Sequence, residues 1–402
     1  MRLRWGVCPL FVMIGVFTLP VMGQGQQPPA QAPAASTAPA TPQPLPNPTM
    51  TAPLQTAAPQ HTFSAGPFGT LAITGILSGM GLTQSNWVAG DKSTHWDLSN
   101  GQIFLQKTSG WWQFYLQGGA YNLPDLGVPF IKTTDTLTDF YGPLPVAYLK
   151  LVKGNFNVEI GELPTLIGAE YTFSFENMNI ERGLLWNQEN AISRGVQVSD
   201  TFKKLSLTFS WNDGFYSNVY NWITGTASYA FNSSNTLAFV GGGNAGQTAS
   251  NSVATPLLQN NGAIYEVIYT YSHESWMIQP YWQYTYVPAN ASIGILQSGS
   301  TNGGALLLNY NFKHGISLAF RPEYITSNGS ATNPASLNLL GYGAGSSAFA
   351  FTVTPTYQKA GFFLRGDLSV ADARSFVKGD AFGSLGTDGT QTRGVIEAGF
   401  MF

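Results

Sequence analysis

At 402 residues the chain has room for two or three domains, yet only 10% of it is charged, while 44% is apolar, 13% is aromatic and 45 residues are glycine. Ordinary soluble domains carry about 25% charged residues, so the composition fits neither a typical cytosolic enzyme nor a disordered polymer. Beyond the amino terminus no run of about 18 apolar residues occurs, which excludes a bundle of membrane-spanning helices, and a formal net charge of −3 gives no reason to expect nucleic acid as a partner.

Residues 1–23 read as an export signal. Arg2 and Arg4 form a positive start, an uncharged apolar run extends from Trp5 to Met22, and Val21-Met22-Gly23 supplies small or apolar residues for cleavage. A retained membrane anchor is the alternative, although the run is short for a span. Removing the segment removes Cys8, the only cysteine. The mature chain then has no thiol for a nucleophile, a disulfide or a thiolate metal site. Residues 24–62 are rich in Pro, Ala and Gln and uncharged from Gln24 to Gln60. Such a stretch cannot bury enough apolar area to offset its ordering entropy, and it is expected to be a disordered periplasmic linker.

From residue 63 to 402 the pattern becomes short runs in which every second side chain is apolar. Leu205, Leu207, Phe209 and Trp211 alternate with Ser206, Thr208, Ser210 and Asn212; Phe362, Leu364, Leu368 and Val370 interleave with Arg365, Asp367 and Ser369. Period-two alternation places one set on each face of a strand. The periodicity predicts about sixteen strands, near 68–80, 96–107, 111–121, 145–153, 155–163, 190–200, 204–213, 224–231, 235–244, 261–272, 274–287, 302–312, 314–326, 347–358, 361–371 and 392–402. Seven tight connections, such as Lys153-Gly154-Asn155 and Gln358-Lys359-Ala360, alternate with eight long ones near 81–95, 122–144, 164–189, 214–223, 245–260, 288–301, 327–346 and 372–391.

That alternation fits an all-β, closed antiparallel transmembrane barrel with short periplasmic turns and long outer loops. In hydrocarbon an unpaired backbone group costs several kcal/mol, so a spanning sheet must leave no edge. Aromatic residues then collect at the interfaces: Trp112, Phe231, Tyr271, Trp276, Phe312 and Tyr357 toward the periplasm, Trp211, Tyr265 and Tyr286 toward the outside. Ile396, Ala398, Phe400 and Phe402 share the outward face of the last strand, which ends on an aromatic, and are expected to act as an assembly signal. Pro280, Pro322 and Pro355 fall inside predicted strands, where each removes a ladder donor; bulges are the expected accommodation. Arg194 and Asp200 have outward parity, tolerable near strand ends.

By parity the inward charges are Lys150, Glu159, Glu266, Arg321, Glu323, Arg365, Asp367, Arg393 and Glu397. The third long loop adds Glu170, Glu176, Glu181 and Glu189 against the single Arg182. If that loop narrows the lumen, a pore through it mildly favours cations; if it lies outside, the charges are a solvated surface. Other motifs are weak. Gly241-Gly242-Gly243-Asn244-Ala245-Gly246 satisfies GxGxxG by letter but opens no helix. His61, His95, His273 and His314 show no metal-ligand spacing, so no metal and no cofactor are expected. His95 with Asp91 or Asp97 is the one acid and histidine cluster that could face outward.

Gly161-Glu162-Leu163-Pro164-Thr165-Leu166-Ile167-Gly168-Ala169-Glu170, Asn177-Met178-Asn179, Arg182-Gly183, Arg194-Gly195-Val196 and Asn212-Asp213-Gly214 resemble the strand, long loop and returning strands of the OmpL-like β-barrel porins. The resemblance covers some 55 residues specifically. It implies a Gram-negative outer-membrane channel for passive diffusion of small hydrophilic solutes or ions, and no enzyme. Where those proteins carry a serine before the loop arginine and a proline before the returning strand, this chain has Glu181 and Ala191. Expected partners are outer-membrane lipid and lipopolysaccharide, the barrel-assembly machinery and the permeating solutes, and a homotrimer is common among barrels of this kind. The alternative is a barrel used as a surface hydrolase or adhesin through its outer loops.

Overall fold

The computed structural model describes Leu54 and residues 61–402. The expected export signal, and all of the linker except Leu54, His61 and Thr62, lie outside the described residues. A short strand, β1 (His61–Ser64), precedes sixteen long ones. These are β2 (Thr70–Gln84), β3 (Thr94–Lys107), β4 (Trp112–Tyr121), β5 (Val146–Lys153), β6 (Phe156–Pro164), β7 (Ile192–Phe202), β8 (Leu205–Asn212) and β9 (Trp222–Asn232). The second half comprises β10 (Asn235–Asn244), β11 (Ala263–His273), β12 (Trp276–Val287), β13 (Gly299–Asn311), β14 (Ile316–Ser327), β15 (Ser347–Lys359), β16 (Phe362–Arg374) and β17 (Thr390–Met401). Each long strand pairs antiparallel with the next. Pairing of β17 with β2 then closes the cylinder.

At the seam, β1 occupies the edge of β2 from Thr70 to Ile73, and β17 takes over from Ile76. The terminal Phe402 bridges them: its amide donates to the Gly75 carbonyl, and its carbonyl accepts from the Gly75 amide, both at 3.1 Å. The edge of β2 is thereby paired along nearly its whole length, as a lipid-immersed sheet requires. Outward apolar residues such as Leu77, Phe209, Leu368 and Ile396 are exposed, and lipid tails would cover them. At the periplasmic end the aromatics pack on one another, with Trp276 against Tyr310, Tyr310 against Phe312 and Tyr229 against Phe231.

The three prolines are accommodated without the expected bulges. Pro280 keeps its rung with β13, but the β11–β12 ladder skips from Ile268↔Tyr281 to Tyr271↔Ile278. Pro322 likewise interrupts only the β13 side, and Pro355 only the β16 side. The register is unchanged across each gap, because a strand residue directs its N–H to one neighbour and proline removes only that bond. Arg194 escapes lipid as expected: at the outer end of β7 it pairs with Asp213 at 2.8 Å and stacks on Tyr216.

Two strand glycines, Gly119 and Gly161, permit close approach of neighbouring backbones. Gly161 has φ +144°, and a Cβ there would fall 2.1 Å from the Ala147 carbonyl oxygen. Gly161→Ala should lower the barrel's stability by at least the 1 to 3 kcal/mol typical of such backbone strain. The measurement is thermal unfolding in detergent, followed by heat-dependent gel mobility. Gly225→Ala, with its nearest atom at 3.6 Å, should leave the transition in place.

Candidate functional site: the lumen and its inward loop

The third long loop, 165–191, folds into the barrel. Its ends are tied by the Thr165 amide and the Ala191 carbonyl at 3.0 Å, and nearly every residue from Thr172 to Leu185 is buried. The inward charges predicted by parity grip it. From β14, Arg321 donates to Glu170 Oε1 and to the Glu181 carbonyl, both at 2.6 Å, while Glu323 accepts the Leu184 amide at 2.7 Å. From β16, Arg365 donates to the carbonyls of Asn177 and Ser174 at 2.9 and 3.0 Å, and Asp367 accepts the amides of Ile180 and Glu181, both at 2.9 Å. From β17, Arg393 pairs with Glu181 at 2.9 Å, and Glu397 accepts from Ser174 Oγ at 3.1 Å and pairs with Arg365. From β11, Glu266 accepts the Gly168 amide at 2.8 Å.

Apolar contacts complete the fit. Phe173 stands edge-on to Tyr121, Phe175 packs on Phe104, and Ile180 joins Met80, Leu82 and Val395. Within the loop, Arg182 donates to the Thr172 carbonyl and Glu176 accepts the Phe173 amide at 3.1 Å, while Arg182 also donates to Asp125 Oδ1 at 2.5 Å. Asp125 belongs to the second long loop, which reaches over the lumen so that Arg393 also donates to the carbonyls of Asp125 and Val128. Tyr342 of the seventh long loop donates to the Gly127 carbonyl at 3.2 Å. Loops from the second, third and seventh long connections therefore meet inside the outer half of the barrel, with the third tied by its ion pairs and amides to the β11–β17 wall.

The β5–β10 wall is different. Lys150 and Glu159 are directly opposite on β5 and β6, paired at 2.8 Å with 18% and 12% of their side chains exposed, and Gln197 donates to Glu159 at 3.0 Å. Beside them Asn157, Ser199, Ser206, Thr208, Thr226 and Ser228 face inward and are partly exposed. They form a hydroxyl and amide strip in the periplasmic half of the bore. Their Ser and Thr alternation was legible as a wet face, but nothing in the sequence marks them as the face the loop leaves uncovered.

The other candidates have structural roles. Asp91 stands 2.7 Å from His95, whose ring stacks on Phe130, and accepts the Phe130 amide at 3.1 Å. Asp97 accepts the amide and hydroxyl of Thr133 at 2.7 and 3.1 Å. These contacts fasten the first long loop to the second. Gly241 to Asn244 end β10 and run into the following loop. Ile396 and Phe400 point outward and are exposed beside the closing seam.

Three solved structures share this architecture. OmpT of Vibrio cholerae, described as outer-membrane expressed, aligns with TM-score 0.54 at 11% identity over 85% of this chain and 100% of its own. The outer membrane channel DcaP of Acinetobacter baumannii gives 0.53 at 11% over 83% and 97%. Salmonella typhi OmpF, in complex with daunomycin, gives 0.51 at 12% over 83% and 98%. Identities this low carry the fold alone. Comparison with curated proteins finds no similar chain. Residues 70–402 match the family described as "Putative beta-barrel porin-2, OmpL-like", and the chain belongs to that family, as a porin-type β-barrel of the Gram-negative outer membrane.

Proposed function

We propose that the protein is a passive diffusion channel for small hydrophilic solutes and ions, with a mild preference for cations. The observation that carries this reading is the asymmetric bore: an inward loop held against β11–β17, beside a polar, partly exposed strip on β5–β10. Hydroxyl and amide groups exchange readily with hydration water and hold no solute tightly, which suits passage rather than capture. The sign of selectivity follows from the lining. Glu159, Glu266, Glu323, Asp367 and Glu397 on the wall, with Asp125, Glu170, Glu176, Glu181 and Glu189 on loops, outnumber Lys150, Arg182, Arg321, Arg365 and Arg393 by two to one. A surplus of fixed negative charge raises the local concentration of cations.

A further OmpT structure is described as a trimer form; for the present chain a homotrimer is part of the proposal, as is the absence of enzymatic activity. In a planar bilayer the purified protein should give discrete, ohmic conductance steps, and under a salt gradient its reversal potential should lie on the cation side. A barrel that inserts, shown by heat-dependent mobility, but gives no steps would remove the channel reading.

A further inference from the structure

At the neck of the inward loop, two buried carboxylates meet at Gly168. Glu266 of β11 accepts the Gly168 amide at 2.8 Å. Glu189, at the returning end of the loop, packs so closely that a Cβ on Gly168 would fall 1.8 Å from its Oε2. Glu266 and Gln283 are register partners on β11 and β12, and Tyr281 is two residues from Gln283 on the same inward face. Both oxygens of Glu189, Oε1 of Glu266, the Tyr281 hydroxyl and Oε1 of Gln283 have no hydrogen-bond partner among the described residues. The four residues are 7%, 2%, 4% and 1% exposed.

Nearby cationic charge is already committed. Glu170 and Glu323 both contact Arg321, and they accept the amides of Gly183 and Leu184 respectively. Among the described residues Glu189 and Glu266 have no cationic partner. A buried carboxylate with neither charge partner nor hydrogen bond is among the costliest groups a protein can hold, so this cluster favours whatever cation can reach it.

We propose that Glu189 and Glu266, with the Tyr281 hydroxyl and the Gln283 side-chain carbonyl as neutral donors, form a buried site for a divalent cation of the calcium type. The donors are all oxygen, the set preferred by hard cations, and calcium accepts irregular shells of 6–8 oxygens. Two carboxylates match its charge. Among the described residues no three His, Cys, Asp or Glu side chains stand in metal-holding geometry, so the neutral oxygens are integral to the site. The proposal does not depend on conduction: bound calcium would tie the loop's returning end to β11 and β12 in any barrel.

The test uses the folded barrel in detergent, stripped with EGTA and titrated with calcium chloride at ionic strength held constant with potassium chloride. Calcium should raise the unfolding midpoint saturably by several degrees, and potassium should not. Glu189→Gln and Glu266→Gln should each abolish the shift while retaining the folded gel band. Terbium, a calcium substitute excited through nearby aromatic rings, should emit in the wild type and weaken in Tyr281→Phe, an arm that holds even if a carboxylate variant fails to fold. Three outcomes would overturn the site: no calcium shift in the wild type, a midpoint governed by pH alone because the carboxylates share a proton, or a shift that survives both glutamine variants.

Discussion

Arg321→Ala should loosen the inward loop and raise single-channel conductance well above that of the wild type. The Arg321 side chain is fully buried and contacts Glu170 at 2.6 Å, the Glu181 carbonyl at 2.6 Å, Thr352 at 3.2 Å and Glu323 at 3.3 Å. Removing one partner of a buried ion pair costs about 3 to 5 kcal/mol, because the remaining charge is stranded, and here two carboxylates lose their cation at once. The β14 ladder is built from backbone groups and survives the change, so the cost falls on the loop. The expected record combines larger, noisier steps with a lowered unfolding midpoint. Adding Glu170→Gln should recover part of the midpoint, since one stranded charge is then absent. Unchanged conductance and an unchanged midpoint would mean that Arg365, Asp367 and Arg393 hold the loop without Arg321.

The barrel was legible in the sequence because lipid outside and water or polar loop inside impose one rule on every strand. Wherever that rule operates alone, the boundaries agree closely, as at β10 (Asn235–Asn244). The predicted first strand stopped at residue 80, whereas β2 continues to Gln84. Gly79 and Gly81 both lie within paired strand, and a Cβ on Gly81 would meet the Trp96 ring at 2.6 Å. Gly81 makes room for an aromatic and does not turn the chain.

The inward charges were legible for the same reason, since parity alone places Arg321, Glu323, Arg365, Asp367, Arg393 and Glu397 inside. Their partners were not. Arg393 meets Glu181 across 212 residues, and Arg321 meets Glu170 across 151. Such pairings depend on where a 27-residue loop (165–191) crosses the lumen, and local pattern carries no record of that path. The prolines show the same limit: spacing marks a missing donor, but which neighbour loses it follows from register and direction.

The loop's carboxylates also set the sign of a selectivity experiment. Glu170→Gln, Glu176→Gln and Glu181→Gln together should move the reversal potential toward the anion side, by more than the loss of three exposed charges would. Glu170 and Glu181 neutralise Arg321 and Arg393 at 2.6 and 2.9 Å, so their amides leave the buried Arg393 guanidinium without a carboxylate and Arg321 with Glu323 alone. Glutamine keeps the size and the acceptor oxygen, which preserves the bond from the Phe173 amide to residue 176 and an acceptor for Arg321 and Arg393, and the unfolding midpoint of the triple variant reports whether the loop stays in place. The measurement belongs at about 0.1 M salt or below, where screening lengths reach about 10 Å or more and lining charges are felt across the bore. Glu159→Gln is the informative companion. It removes the carboxylate of the β5–β6 pair and leaves Lys150 without its partner. If ions pass chiefly along the hydroxyl strip, this single change should move the reversal potential more than the triple change does. A triple variant with no shift, beside an effective Glu159→Gln, would confine the path to the strip and assign the loop a purely mechanical role.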